Sequence, residues 1–270
     1  MEDEKSLLIV DRYGDQIIEW TLDTSTGSLA AGGNGKGKQM NQFDEPSDVR
    51  VDKRTNTLII CDSMNRRVMQ WPRRDGTNGE ILIDRIACTG LAMDEHGFLY
   101  ISNYEMNNVK RYRIGDSEGT VVAGNHGKGD NTNQLDNPTY IFIDKNYSIY
   151  ISDTGNNRIM KWMPDAREGI VVAGSDRKSH LSRKLYAPHG LFVDQSETVY
   201  IADWRNQRIV RWNNQESIHD DVIIDRTTIE DDSNERFSPP SLTFDRHGNL
   251  YVVDGGNCRI QRFPFEWNQS

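Results

Sequence analysis

The chain has 270 residues, 36% of them hydrophobic and 22 of them glycine, an ordinary globular composition that excludes intrinsic disorder. Its net charge of −9, from 32 basic and 41 acidic residues, argues against a surface built mainly to bind phosphates. The acidic start and the short apolar runs predict neither a signal peptide nor membrane insertion. We therefore expect a soluble chain, cytoplasmic if it is full length and extracellular if it is a domain cut from a longer protein.

The three cysteines do not predict a disulfide framework. Their number is odd, and no two of them are close enough in sequence for a CxxC metal site. Cys61 and Cys258 fall in predicted strands or their turns, so we expect them to be small buried hydrophobic residues or bystanders.

Six segments of the chain repeat one pattern: an apolar strand that ends in an acidic or amide residue, a short polar turn, and a second strand. The residue that ends the first of these strands, the anchor, recurs at intervals of 51, 41, 50, 50 and 51 residues. The six anchors are Asp11, Asp62, Asn103, Asp153, Asp203 and Asp254. A period this regular indicates a repeat architecture.

Each full repeat contains four strand signals, which are rich in Ile, Val and Tyr and bounded by Gly, Asn, Asp and Pro. In the second repeat the predicted strands are Asp48–Asp52, Thr57–Asp62, Arg67–Trp71 and Glu80–Asp84. No window shows a long helical period. We predict a single all-β domain over residues 1–270, a six-bladed β-propeller of four-stranded antiparallel blades with an incomplete first blade and an incomplete last blade.

The longer repeats exceed the shortest one by an insert between blades. One insert runs from Gly32 to Pro46 and another from Gly124 to Pro138, whereas the third blade lacks an insert. The glycine spacing is similar to that of a phosphate loop, but no helix is predicted after it and GK[ST] is absent. We interpret the insert as an adaptable inter-blade loop.

The combined pattern, a proline before the first strand and then Asp-x-x-Asn-x-Arg after the second, resembles the NHL repeat over nearly the whole chain. Its Asp, Asn and Arg stand at Asp62, Asn65 and Arg67, at Asp153, Asn156 and Arg158, at Asp203, Asn206 and Arg208, and at Asp254, Asn257 and Arg259. The first and third repeats depart from it, with Gln16 and Asn108 in place of the arginine. We expect these residues to be structural, the Asp and Asn bonding the tight turn and the Arg pairing with an Asp in bidentate geometry.

Binding residues are therefore sought where the repeats differ. Directly after the anchor, Tyr104 and Trp204 break a trend toward small polar residues, and Arg205 follows. Residues after the repeat prolines are expected to approach a central channel, and the candidates there are Asp48, Tyr140 and His189. Exposed aromatic residues at loop tips are good contact residues for a partner. We predict a non-catalytic, monomeric interaction scaffold that binds a protein or peptide on its loop-rich face without a cofactor.

The resemblance leaves two other classes open. Related peptide-amidating lyases hold zinc through Pro-His sequences, but only Pro188-His189 has that form, so a three-histidine site is not available. Propeller lactonases bind calcium at the channel, where Asp48 is the only candidate carboxylate. Some NHL propellers bind RNA on a basic face, which the net charge disfavours. We predict no catalytic residues and no metal site, with a metal-dependent propeller enzyme or an RNA-binding domain as the alternative.

Overall fold

The computed structural model describes residues 6–22, 24, 26–74, 76–174, 184–213, 220–228 and 237–264. Within these ranges the chain forms 22 strands, and its helical segments are single 3₁₀ turns at Thr154–Asn156, Trp204–Asn206 and Gly255–Asn257. None of the described helical segments is long and apolar enough to span a membrane. The fold is the predicted all-β six-bladed propeller with almost no helix.

The chain divides into two compact units, and the first unit is Met1–Asn125. Its described residues form three antiparallel sheets, which we number as blades 1 to 3. Blade 1 contains β1 (Ser6–Asp11), β2 (Gln16–Thr21) and β3 (Gly27–Gly32). Blade 2 contains β4 (Pro46–Asp52), β5 (Thr57–Asp62), β6 (Arg67–Pro72) and β7 (Glu80–Asp84). Blade 3 contains β8 (Cys88–Met93), β9 (Phe98–Asn103), β10 (Asn108–Arg113) and β11 (Thr120–Ala123).

The second unit, His126–Ser270, forms blades 4 to 6. Blade 4 contains β12 (Pro138–Ile143), β13 (Ile149–Asp153), β14 (Arg158–Trp162) and β15 (Ile170–Ala173). Blade 5 contains β16 (Pro188–Val193), β17 (Val199–Asp203), β18 (Arg208–Trp212) and β19 (Asp220–Asp225). Blade 6 contains β20 (Leu242–Phe244), β21 (Leu250–Asp254) and β22 (Arg259–Phe263). That the two units make one domain with incomplete terminal blades stays a prediction.

The second strand of a blade is apolar at successive positions because the sheet is covered on both faces. In β5, Leu58 and Ile60 pack with Ile17 of blade 1, whereas Ile59 and Cys61 join a cluster that includes residues of blade 3. Successive side chains of a strand point to opposite faces, so a strand between two neighbours needs apolar residues at each position. In the second unit, β17 divides its side chains between two clusters in the same way.

One disulfide is present that the sequence did not predict, and it makes Cys61 a bonded cysteine rather than only a small buried residue. Cys61 in β5 and Cys88 in β8 are fully buried and form a disulfide that joins blades 2 and 3, with 5.8 Å between their Cα atoms. The two cysteines are 27 positions apart and meet because the blades pack together, so their spacing does not indicate the bond. Cys258 is a free and exposed thiol, so the expectation that it is buried is wrong and the alternative of a bystander stays a prediction.

Candidate functional site

The anchor of blade 2 forms a buried charged cluster. Asp62 is fully buried, and its Oδ2 accepts hydrogen bonds from Asn65 Nδ2 at 2.9 Å and from Arg67 Nε at 2.7 Å. Its Oδ1 accepts from the backbone N–H of Asp44 at 2.8 Å. Because Asp44 belongs to the insert before the blade, this carboxylate ties the insert to the turn after β5.

The other guanidinium nitrogens of Arg67 bind the insert. Nη1 donates to the carbonyl oxygen of Lys38 at 2.9 Å, and Nη2 donates to those of Gln39 and Gln42 at 3.0 Å. The contact with Asp62 therefore uses one nitrogen and is not the bidentate pair expected from the sequence. In blade 4 the same pattern joins Arg158 to Asp153 and to the carbonyl oxygens of Asp130, Asn131 and Gln134.

Repeats without this arginine make a different contact. No insert precedes blade 3, where Asn103 and Asn108 pair across the strands in place of the aspartate and arginine. Asn103 Oδ1 accepts from the backbone N–H of Met106 in its own turn at 3.1 Å. In blade 1, Asp11 Oδ1 likewise accepts from the backbone N–H of Gly14 at 3.0 Å. The arginine contacts thus accompany an insert, whose carbonyl oxygens they bind.

Burial raises the pKa of two of the anchor aspartates, Asp62 and Asp153. Burial raises the pKa of Asp62, although the N–H of Asp44 and the guanidinium of Arg67 act to lower it. The same balance raises the pKa of Asp153. A buried charge is costly unless it is paired and hydrogen-bonded. The arginine therefore compensates a carboxylate that the fold would otherwise leave unpaired in its interior.

Asp48, the carboxylate expected at the channel, is engaged on both oxygens. Oδ1 accepts from the backbone N–H of Val49 at 2.8 Å and from Arg50 Nη1 at 2.9 Å, and Oδ2 accepts from the backbone N–H of Leu91 at 2.8 Å. Burial raises the pKa of Asp48, although the positive charge of Arg50 acts to lower it. Calcium takes about 6–8 oxygen ligands. A carboxylate that already accepts three protein donors does not fit such a site, and no metal-binding group of His, Cys, Asp and Glu occurs in the described ranges.

Four of the predicted binding residues meet on blades 4 and 5. The ring centroids of Tyr140 in β12 and His189 in β16 are 6.2 Å apart. His189 stacks on Trp204 at 4.7 Å, with 23° between the ring planes. The guanidinium carbon of the exposed Arg205 lies 5.5 Å from the centroid of the Trp204 ring. The three rings are each half-buried, so they present a partly exposed apolar surface beside a cation.

Tyr186 completes this group and was missed by the sequence prediction. Its side chain is 49% exposed, and the guanidinium carbon of Arg205 lies 5.4 Å from its ring centroid. The repeats contain a signal for it, because Tyr186 stands two residues before the repeat proline, where Asp44 and Asp136 stand in two other inserts. We refer to the group as the aromatic strip, which consists of Tyr140, Tyr186, His189, Trp204 and Arg205.

Trp204 also links neighbouring blades. Its indole Nε1 donates to Ser238 Oγ, which precedes β20 of blade 6, at 2.7 Å. At the same position after the anchor, Ser63 and Thr154 each donate a hydrogen bond to a carbonyl oxygen at the start of the next blade. Packing thus accounts for part of the placement of Trp204. Arg205 and Tyr186 are the exposed members of the strip, and they offer the cleaner tests of binding.

The two remaining predicted binding residues lie in the first unit. Tyr104 is half-buried in the turn after β9, and its backbone N–H donates to the carbonyl oxygen of Ala87 at 3.1 Å. Asp48 lies on β4 in the contacts described above. The aromatic strip is therefore built from the second unit alone.

Comparison with known sequences gives one family match. Residues 1–230 match a family model described as the SMP-30/Gluconolactonase/LRE-like region. No curated protein sequence matches the chain.

Solved structures share the fold at low sequence identity. A streptogramin B lyase has 9% identity and a TM-score of 0.65, over 98% of this chain and 81% of that one. A virginiamycin B lyase from Staphylococcus aureus, a catalytically inactive histidine-to-alanine variant with quinupristin, has 12% identity and a TM-score of 0.62, over 99% and 87% of the two chains. An auxiliary nutrient binding protein from Bacteroides thetaiotaomicron has 16% identity and a TM-score of 0.73, over 96% and 65%. At these identities the likeness shows the fold alone.

Proposed function

The chain belongs to the SMP-30/gluconolactonase/LRE-like propeller family, and we propose that it is a non-catalytic binding module for a protein or peptide partner. The proposed contact surface is the aromatic strip. The observation that carries the proposal is the exposed guanidinium of Arg205 over the rings of Trp204 and Tyr186, beside the half-buried His189. Tryptophan, tyrosine and arginine dominate the binding energy of protein interfaces.

The anchor residues support this assignment by their own contacts. The polar atoms of Asp62 and Arg67 are engaged with the insert and with each other, which suits a scaffold that carries a variable surface. Their Asp-Asn-Arg pattern also supports the finer assignment of the repeats as NHL-like. We further propose that the module is a monomer that needs no cofactor and does not bind RNA, since its net charge of −9 opposes phosphate binding.

Peptide selection tests the proposed contact surface. Peptides recovered from a random phage-displayed library on the immobilised chain should lose affinity for the Tyr186→Ala variant. Tyr13→Ala is the matched control, because Tyr13 is an 88% exposed tyrosine on blade 1, outside the strip. Peptides that bind both variants as well as the wild type would show that the contact surface lies elsewhere, and a library that yields no binding peptide would count against a peptide-binding role.

An enzyme is the second candidate, because two of the similar folds are lyases and replacement of a histidine gives an inactive variant of one of them. In this chain His189 is the histidine of the strip, with its ring near Tyr140 and stacked on Trp204. Elemental analysis and an assay of gluconolactone hydrolysis separate the two functions. We expect no stoichiometric zinc or calcium and no turnover above the spontaneous rate. Turnover and bound metal that are both lost in Asp48→Ala or His189→Ala would overturn the binding-module proposal.

A further inference from the structure

Arg205 is fixed in position by its neighbours although its side chain is exposed. Its backbone N–H donates to the carbonyl oxygen of Tyr186 at 3.1 Å, and its Nη1 donates to the Tyr186 hydroxyl at 3.3 Å. The guanidinium carbon lies 5.4 Å from the centroid of the Tyr186 ring and 5.5 Å from that of the Trp204 ring. Contact with two aromatic faces restricts an arginine that would otherwise sample many rotamers. A ligand would therefore meet a cation that is already ordered.

The charge of this guanidinium is not balanced by a carboxylate within the ranges that the structure describes. Two other exposed arginines on the turns that follow the anchors are paired. Arg12 Nη2 lies 2.8 Å from Glu45 Oε2, and Arg66 Nη1 lies 2.7 Å from Glu105 Oε1. A guanidinium carries five N–H donors, and Arg205 uses one of its side-chain nitrogens in the contacts described. It therefore retains the capacity to bind an anion through two parallel hydrogen bonds.

The surface beside Arg205 indicates which chemical class of anion it binds. The guanidinium lies over the Trp204 ring, and the same ring is stacked on His189, so the cation adjoins a half-buried aromatic surface. A planar guanidinium matches a carboxylate in bidentate geometry, and one arginine balances its single charge. A polyanion such as nucleic acid relies on several cations, and the net charge of −9 opposes it.

We infer that the aromatic strip binds a peptide carboxylate through Arg205 while an aromatic side chain beside that carboxylate packs on Trp204 and His189. The inference rests on the proposed binding function and names the chemistry that the partner supplies. The carboxylate has two sources in a peptide: the C-terminus of a chain that ends in an aromatic residue, or an Asp or Glu side chain next to an aromatic residue. Both sources present the same pair of groups.

Nuclear magnetic resonance with small probes tests the inference on the full chain. The indole N–H signal of Trp204, assigned with a Trp204→Phe variant, reports on ligands at the strip. N-acetylphenylalanine should shift this signal. N-acetylphenylalaninamide, which lacks the charge, should bind with an affinity at least about tenfold lower. A third probe, N-acetyl-Glu-Phe-amide, carries the carboxylate on a side chain. The tighter of the two acidic probes identifies the source of the carboxylate.

Two variants assign the effect to Arg205. Arg205→Gln should reduce the affinity for the acidic probes about tenfold and leave that for the amide unchanged. Arg85→Gln is the control, because Arg85 is a 91% exposed arginine on blade 2, outside the strip. Thermal unfolding of both variants should match that of the wild type. Equal affinities for acid and amide, or full affinity in Arg205→Gln, would overturn the inference.

The same titrations separate this inference from the proposed function. If acid and amide shift the Trp204 signal with equal affinity, the carboxylate inference fails while a binding role for the strip stands. If inorganic phosphate binds more tightly than N-acetylphenylalanine, the assigned ligand class is wrong. If no probe shifts the signal and selected peptides also ignore Tyr186→Ala, both the inference and the proposed contact surface fail.

Discussion

Arg158 shows how a single residue keeps a charge in the interior of a blade. Its side chain is 6% exposed and lies 2.6 Å from the fully buried Asp153, through Nε. Replacing Arg158 with Ala leaves this carboxylate without its cation and takes one donor from each of three carbonyl oxygens. We expect the free energy of unfolding to fall by about 3 kcal/mol, the upper end of the range of about 1–3 kcal/mol that hydrogen-bond and ion-pair energetics indicate for these arginines.

Urea unfolding of Arg158→Ala measures this loss, with Arg85→Ala as the exposed control. The control should change the unfolding free energy by less than about 0.5 kcal/mol. An Arg158→Ala protein that keeps its stability but loses its peptide ligand would show that the anchor belongs to a binding site and not to the scaffold.

Glu19 makes the stability of the first unit depend on pH. Burial acts to raise its pKa, but hydrogen bonds from Ser6 Oγ and Arg73 Nη2, both 2.7 Å long, outweigh burial and lower the pKa below its ordinary value of 4.5. Because folding lowers the pKa, the charged form stabilises the folded state above pH 4.5, and this stabilisation is lost as the pH falls through the folded pKa.

Glu19→Gln should accordingly lower the free energy of unfolding at neutral pH by up to about 1 kcal/mol, a modest value for a partly exposed pair. The difference in unfolding free energy between variant and wild type should shrink as the pH falls below 4.5 and through the lowered pKa of Glu19. Urea unfolding across this range measures both quantities. A difference that stays constant with pH would contradict the assigned role of the charge.

At the scale of elements, the insert and the anchor of a blade are coupled. Replacing the insert of blade 2 with the short connection that precedes blade 3 removes the carbonyl oxygens that Arg67 binds, so the shortened chain should be less stable. Adding Asp62→Asn and Arg67→Asn, which reproduces the Asn103–Asn108 pair of blade 3, should recover about 1–3 kcal/mol because it removes a buried ion pair that has lost its hydrogen-bond partners in the insert.

A double-mutant cycle of unfolding free energies checks this coupling. The same two replacements in the chain with its insert should destabilise, since there they remove groups that have partners. If the replacements have the same effect in both backgrounds, the insert and the anchor act independently and the coupling is absent.

The strands were predictable because their signals are local. All four predicted strands of blade 2 are present, with β4 starting at Pro46 instead of Asp48 and β6 ending at Pro72 instead of Trp71. The insert conformation was not predictable, because Arg67 binds carbonyl oxygens 25 to 29 positions away. The strip was found only in part for the same reason: Arg205 and Tyr186 are 19 positions apart, and blade packing brings them together.

At the scale of the molecule, the disulfide gives the first unit a constraint of its own. The Cys61–Cys88 bond spans 27 positions, and closing a loop of this length corresponds to about 3–4 kcal/mol of stabilisation in the chain-entropy model. Dithiothreitol, or paired Cys61→Ala and Cys88→Ala replacements, should therefore weaken amide hydrogen-exchange protection in blades 2 and 3. Mass spectrometry detects this change, with blades 4 and 5 as the internal control. An equal loss of hydrogen-exchange protection in both units would contradict the prediction that the disulfide stabilises the first unit alone.

The meander order of the sheets has a consequence for synthesis of the chain. Every hydrogen-bonded strand pair described in the sheets joins strands adjacent in chain order. Each blade can therefore complete its strand pairing as soon as its own strands have left the ribosome. The apolar face that packs against the following blade stays uncovered until the next repeat is synthesised, and the anchor of that repeat follows 41 to 51 residues later. At about 5–20 residues per second, that face is exposed to aggregation for roughly 2–10 seconds.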